Sequence, residues 1–302
     1  MRNRMNVLWV VLFAVVAVAL WSAWMVRYRP LAVYTWVTRT ALARAGLARI
    51  KVECTVGTQV AWRGGKGPVL VLLHGAGDQA GAWSRVVHAL VKDHTVLVPD
   101  LAGHGQSEPA AGPIEVAAIL AGLEACIVQQ AGGQKVTLVG NSLGAWMAML
   151  IAHDHPGWVE RVIAVNGGAI KGRSEAHLLP RNRDEAREVT GLLRDPGSPV
   201  IPDFVLDDIV RQAERGPLAR FAATAETMER HTLDDRLGEV KVPVEIVWGA
   251  ADRVMPLEYA QRLLAGLPDA RLHVIERCGH VPQQECPEKF LAALLPLLEA
   301  SK

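Results

Sequence analysis

The residues whose types and spacing could do chemistry are a serine, an aspartate and a histidine, far apart in a chain of 302 residues. Ser142 sits in Gly140-Asn141-Ser142-Leu143-Gly144, directly after the apolar run Val136–Val139 and before a second apolar stretch. A G-x-S-x-G in that setting predicts a strand-to-helix turn so sharp that its central residue is strained and its neighbours must be small. A serine hydroxyl is a weak nucleophile, so it needs a base, and the base needs an acid to orient it. On this kind of turn the expected chain order is serine, acid, histidine. Asp252, in Trp248-Gly-Ala-Ala-Asp252, and His280, in Cys278-Gly279-His280, each follow the end of an apolar run in that order. Asp234 and Asp235 are alternative acids, and His104, His153, His155 and His273 compete for the base. His280 is preferred because His273 lies within a strand-like run and His104 precedes Ser142. His153 and His155 fall at the far end of the helix that Ser142 opens.

Acyl transfer also requires two donors for the developing oxyanion. The backbone N–H of Leu143, at a helix N-terminus, supplies one. His74-Gly75-Ala76-Gly77, after the run Val69–Leu73, offers the other at the N–H of Ala76. These glycines also satisfy a different pattern. Gly75-x-Gly77-x-x-Ala80 after a strand, with Asp100 about 20 residues on, imitates a dinucleotide-binding turn. That fingerprint normally follows the first strand of its sheet, whereas here a hairpin-like segment, Arg49–Trp62, precedes it. The glycines are therefore read as allowing close approach to an oxyanion. His74 becomes a structural hydrogen-bonding residue, and Asp100 through Ser107 a braced loop.

These residues need a frame. Short continuous Val/Leu/Ile runs at 69–73, 95–99, 136–139, 162–165, 244–248 and 272–275 read as strands. Helical stretches near 82–92, 114–130, 143–154, 256–266 and 287–299 separate them. Strands apolar on both faces and alternating with helices predict an α/β fold with a mostly parallel sheet. Residues 170–238, rich in Arg, Asp/Glu and Pro and without a convincing strand, are expected to form a helical cap. The core is then 49–169 and 239–302.

The formal net charge of +1 hides a split. Residues 1–50 hold seven Arg (2, 4, 27, 29, 39, 44 and 49) and no Asp, Glu or Lys, leaving −6 on residues 51–302. A nucleic-acid-binding domain carries its basic surface on the fold itself, so that class is disfavoured. The four Cys (54, 126, 278 and 286) include no C-x-x-C pair, and neither a disulfide framework nor a zinc site is expected. Cys278 reads as a packed small residue, and no metal or cofactor is called for. Between Met5 and Val26 the only polar side chains are Asn6 and Ser22. About 20 apolar residues make about 30 Å of helix, a bilayer's hydrocarbon thickness. Residues 1–27 are thus expected to be a single-pass anchor through 6–26, with a cleaved signal peptide as the rival. Residues 28–48 would form a basic juxtamembrane linker, either solvated or lying on an anionic membrane surface. The positive-inside count is close to a tie.

Taken together, HGAG (74–77), PDLAGHGQS (99–107), GNSLG (140–144), WGAADRVMP (248–256) and CGHVPQQECPEKF (278–290) resemble the α/β-hydrolase superfamily over about residues 49–300. The resemblance is to the subgroup of monoacylglycerol-lipase-type esterases and hydrolases of meta-cleavage products. It implies Ser142, Asp252 and His280 as a triad beneath a helical cap, acting on a small-molecule ester without a cofactor. Carbon–carbon bond hydrolysis by the same triad, and a non-catalytic ligand-binding role, are the alternatives. Serine rather than aspartate at position 142 departs from haloalkane dehalogenases and epoxide hydrolases.

Overall fold

The computed structural model describes residues 2–172 and 178–299. Residues 173–177 of the expected cap and the last three residues of the expected core lie outside the described residues. The chain begins with two helices, α1 (Arg2–Tyr28) and α2 (Pro30–Arg44). A hairpin follows, β1 (Ala48–Cys54) and β2 (Gly57–Gly65), then β3 (Val69–Leu73), a 3-10 turn (Ala80–Trp83), α3 (Val87–Leu90) and β4 (Thr95–Pro99). Next come α4 (Val116–Gln130), β5 (Val136–Asn141), α5 (Leu143–Asp154) and β6 (Val159–Val165). Four helices precede the next strand: α6 (Arg183–Leu192), α7 (Asp203–Ala213), α8 (Pro217–Ala222) and α9 (Ala225–Met228). The chain closes with β7 (Val244–Gly249), α10 (Leu257–Gly266), β8 (Ala270–Ile275), α11 (Pro282–Glu285) and α12 (Pro287–Glu299).

The strands form one eight-stranded sheet in the order β1-β2-β4-β3-β5-β6-β7-β8. The two pairs that involve β2 are antiparallel, and every other pair is parallel. The continuous apolar strands are explained by burial on both faces. In β3, Val71 and Leu73 enter a core with α4, α5 and α10, while Leu70 and Leu72 enter a second core with Trp83, α3 and α12. Successive side chains of a strand point to opposite faces, so both layers must be filled. Helix α5 is buried from Leu143 through Ala152, as expected of a helix apolar on all sides.

Three readings of the sequence need correction. The helix expected near 82–92 is a 3-10 turn plus the single turn α3. Its start is held tight by Gln79 Oε1, which accepts from Gly81 N (2.9 Å), and by Asp100 Oδ1, which accepts from Ala80 N (2.7 Å). Residues 30–44 of the expected linker are helical and docked, with Thr38 and Leu42 buried. The N-terminus of α2, opened by Pro30, receives its cap from across the fold. Leu31 N donates to Asp208 Oδ2 on α7 at 3.0 Å, satisfying one of the donors a helix start leaves free. Finally, Cys278 and Cys286 form a disulfide, with Cα atoms 6.1 Å apart. The two cysteines lie eight positions apart, outside C-x-x-C spacing, and the short α11 between them brings them together.

Helix α1 meets α7 near its C-terminal end. Within it, Trp9–Tyr28 has a mean hydropathy of 2.3 and is unburied. It is long and apolar enough to cross a membrane, and among the described residues no other helix passes that test.

Candidate active site

The turn at Ser142 has the strain that its sequence predicts. Ser142 adopts φ 53° and ψ −114°, a conformation rare for any residue with a side chain. Its glycine neighbours are required by close approach. A Cβ on Gly140 would lie 2.2 Å from the Gly144 carbonyl, and one on Gly144 would lie 2.2 Å from Leu73 O. A Cβ on Gly167, beyond the end of β6, would meet Ser142 O at 2.5 Å. Backbone from β3, β5 and β6 therefore closes around Ser142, and only glycine fits at those points.

His280 and Asp252, singled out from the sequence, lie side by side in the fold. His280 Nδ1 and Asp252 Oδ2 are 2.7 Å apart, and both residues are buried. Asp252 Oδ1 accepts from Val254 N (2.8 Å) and Met255 N (2.9 Å), while Oδ2 also accepts from Asn166 Nδ2 (2.7 Å). Four donors thus hold the carboxylate, and His280 is one of them in the tautomer with the proton on Nδ1. The backbone of His280 is fixed too, since Asn141 Nδ2 donates to its carbonyl at 2.9 Å. Asn141 Oδ1 in turn accepts from Gln283 Nε2 at 3.1 Å.

Asn166 was not singled out from the sequence. It has φ 46°, and its Oδ1 accepts from Gly249 N at 3.1 Å, tying β6 to the end of β7. Asn166-Gly167-Gly168 directly after a strand is the available signal, because Asn is among the few residues that adopt this conformation readily.

The competing residues are engaged elsewhere. His273 bonds Glu245 (2.7 Å), and His153 lies between Asp154 and Glu239. His155 contacts Glu124 and stacks on Trp158. Asp234 accepts from Lys171 N at 3.0 Å, away from His280. His74 Nε2 accepts from Leu101 N (3.0 Å), and its Nδ1 donates to Gly75 O (2.8 Å). Burial lowers the His74 pKa to about 4 and that of the neighbouring His104 to about 3, so both are neutral braces. Asp100 Oδ2 accepts from Gln106 N (2.8 Å) and Arg39 Nη2 (3.4 Å), and the Asp100 carbonyl accepts from Ser107 Oγ (2.6 Å).

Ser142, Leu143, Ala76 and His280 share one cavity of about 900 Å³. Its far walls come from helices α6–α9 and are mostly apolar, including Val189, Ile209, Leu218, Phe221 and Met228. Arg220 on α8 fastens this helical segment to the loop after β4, donating to the carbonyls of Gly103, Pro109 and Gly112. Few charges face the cavity. Lys171 is paired with Glu229 at 2.8 Å. Asp78 accepts from Gln284 Nε2 (2.6 Å) and from Gln79 N (2.8 Å), while burial raises its pKa to about 6. Among the described residues, no cluster of His, Cys, Asp or Glu could hold a metal ion.

An open, mostly parallel sheet with a strained serine at the tip of β5 and a histidine after β8 points to a class of fold. Residues 70–293 match the profile of the alpha/beta hydrolase family, and the chain belongs to that family. An uncharacterized protein of Mycobacterium tuberculosis is 30% identical over 257 residues, covering 75% of this chain and 74% of its own. A 2-hydroxy-6-oxononadienedioate/2-hydroxy-6-oxononatrienedioate hydrolase of Paraburkholderia phymatum is 30% identical over 251 residues, covering 76% of this chain and 86% of its own. Among solved structures, a membrane phospholipase A described as a bacterial virulence factor superposes with a TM-score of 0.75 at 22% identity. The match covers 96% of this chain and 98% of that one.

Proposed function

We propose that this hydrolase cleaves carboxylic esters of apolar acyl chains through a covalent acyl-enzyme, and that α1 anchors it in a membrane. The observation that carries the reading is the hydrogen bond between His280 and Asp252, with Ser142 and His280 opening onto one largely apolar cavity. His280 Nε2 takes the proton of Ser142 Oγ as the oxygen attacks the ester carbonyl. The N–H groups of Ala76 and Leu143 hold the resulting oxyanion. Collapse of the tetrahedral intermediate breaks the bond to the alcohol, which leaves with the proton from His280. Water, deprotonated by His280, then releases the acid and restores Ser142. Asp252 keeps the imidazole in the required tautomer and stabilises the imidazolium. Helices α6–α9 serve as the cap that shields this chemistry.

Carbon–carbon bond hydrolysis is the second reading, favoured by the name of the Paraburkholderia relative. The charges around the cavity weigh against it. A dienedioate carries two carboxylates, whereas the cationic Lys171 is already paired and Asp78 contributes a negative charge. An uncharged acyl chain meets no such repulsion.

The Cys278–Cys286 disulfide supports a topology. Such bonds persist in oxidising compartments, so the body is proposed to face the extracytoplasmic side, with Arg2 and Arg4 inside. Labelling by a fluorophosphonate probe tests the mechanism. The wild-type chain should be labelled and Ser142→Ala should not, and labelling that survives Ser142→Ala would refute it. Turnover of a medium-chain acyl ester against a ring-cleavage dienoate separates the two substrate readings.

A further inference from the structure

A second recess, of about 690 Å³, lies where the apolar helix meets the body. Its walls are Trp24, Tyr28 and Arg29 on one side and Arg211, Gln212 and Arg215 on the other. Gln212 also lines the larger cavity, so the two hollows adjoin across α7.

The charges of this recess are unevenly spent. Asp208, which also lines it, is buried and fully engaged. One of its oxygens caps α2 at Leu31 N, and the other accepts from Arg211 Nη2 at 3.0 Å. Arg211 also donates to Tyr28 O at 2.7 Å. Arg29 and Arg215 are both exposed, and among the described residues neither has an ion-pair partner. Glu214 is the opposing charge on the rim. Once the Asp208–Arg211 pair cancels, two guanidinium groups face one carboxylate, which leaves an excess positive charge.

The depth of the recess selects its ligand. Trp24 and Tyr28 lie one turn apart with ring centroids 5.8 Å apart, at the end of the apolar stretch. In a spanning helix, such aromatic residues sit at the level of the lipid headgroups. A guanidinium fork matches the oxygens of a phosphate in a bidentate manner. We infer that this recess binds the phosphate of an anionic membrane phospholipid, held by Arg29 and Arg215 beside the aromatic pair. The inference rests on α1 spanning a membrane, and it is independent of the chemistry at Ser142. Free inorganic phosphate shares the same oxyanion chemistry, and the test must separate the two.

The full chain, purified in an uncharged detergent, is mixed with equal amounts of ether-linked phosphatidylglycerol and phosphatidylcholine, which no esterase cleaves. Native mass spectrometry then counts the retained lipids. The wild-type chain should retain the glycerol lipid preferentially. An Arg near an anionic lipid contributes about 5-fold in affinity, so Arg29→Ala with Arg215→Ala should lower retention roughly 25-fold. Equal retention of both lipids, or unchanged retention by the double variant, would overturn the inference. Displacement of the glycerol lipid by an equal concentration of inorganic phosphate would identify a small-anion site and overturn it as well. Two controls keep the failures apart. Alkaline extraction of membranes reports the insertion of α1, and hydrolysis of a soluble short-chain ester, expected to be unchanged in the double variant, reports the catalytic reading.

Discussion

Breaking the Cys278–Cys286 disulfide perturbs the histidine loop without touching a reacting group. The two cysteines are separated by eight positions and enclose His280, Gln283 and Gln284. Closing so short a loop in the unfolded chain removes about 8 cal/mol/K of entropy, or about 2.5 kcal/mol at 25 °C. Replacing both cysteines with alanine should therefore lower the thermal midpoint by about 4 °C, followed by circular dichroism in detergent. A reductant should lower the wild-type midpoint by the same amount and leave the variant unmoved. Activity should fall as well. The enclosed segment positions His280, carries the Gln283 bond to Asn141 and the Gln284 bond to Asp78, and accepts Tyr34 Oη on Gln284 at 2.9 Å. A maleimide tag on the denatured, unreduced chain should mark two thiols, Cys54 and Cys126, rather than four. Four tagged thiols in protein exported to an oxidising compartment, or a midpoint shift under about 1 °C on reduction, would refute the reasoning.

Other outcomes follow from single contacts. Gly140→Ala puts a methyl 2.2 Å from the backbone of Gly144, which cannot give way, and should cost about 3 kcal/mol or more in a thermal melt. Asn166→Gly keeps the backbone conformation but removes a donor to Asp252, so kcat should fall about 10- to 100-fold with little change in KM. His104 is held neutral well below its ordinary pKa, so the unfolded chain takes up a proton near pH 6.5 that the folded chain refuses until about pH 3. Stability from this residue is therefore complete above pH 6.5 and is lost as the pH falls through that window. The stability of His104→Gln relative to wild type should rise by about 1.4 kcal/mol per unit as the pH drops from 6 to 4, measured by urea unfolding.

The interior of the fold was legible because its signals are local. Runs such as Val69–Leu73 and Thr95–Pro99 coincide with β3 and β4, since burial on both faces favours apolar side chains along the strand. The pairing of His280 with Asp252 followed from chain order and from both residues lying just past strand ends. What the reading missed depends on distant partners. Nothing near Pro30 indicates that its helix is capped by Asp208, 177 residues away. The cysteine pair has no recognisable spacing, and its bond depends on the turn of α11. Asp252 stood out by its place past a strand end, whereas Asn166, which bonds it, did not, because a single Asn beside two glycines also describes an ordinary loop.

The docking of α2 bears on how an anchored enzyme could present its site. A flexible linker would let the body tumble above a bilayer, leaving the cavity's orientation free. Here α2 is tied at several points along its length to elements around the site. Leu31 N bonds Asp208 of α7, Tyr34 Oη donates to Gln284 in the histidine loop, and Arg39 contacts both Gln79 and Asp100. Thr38 and Leu42 add buried contacts between these polar ones. Because α1 and α2 are joined at Arg29 and both touch α7, an α1 inserted in a membrane, as proposed, would also set the direction in which the cavity opens. Lengthening the junction with a few glycines after Arg29 would release that coupling. It should leave hydrolysis of a soluble ester unchanged while slowing hydrolysis of an ester embedded in the same bilayer. Equal rates on the embedded ester before and after the insertion would show that the orientation of the body does not matter.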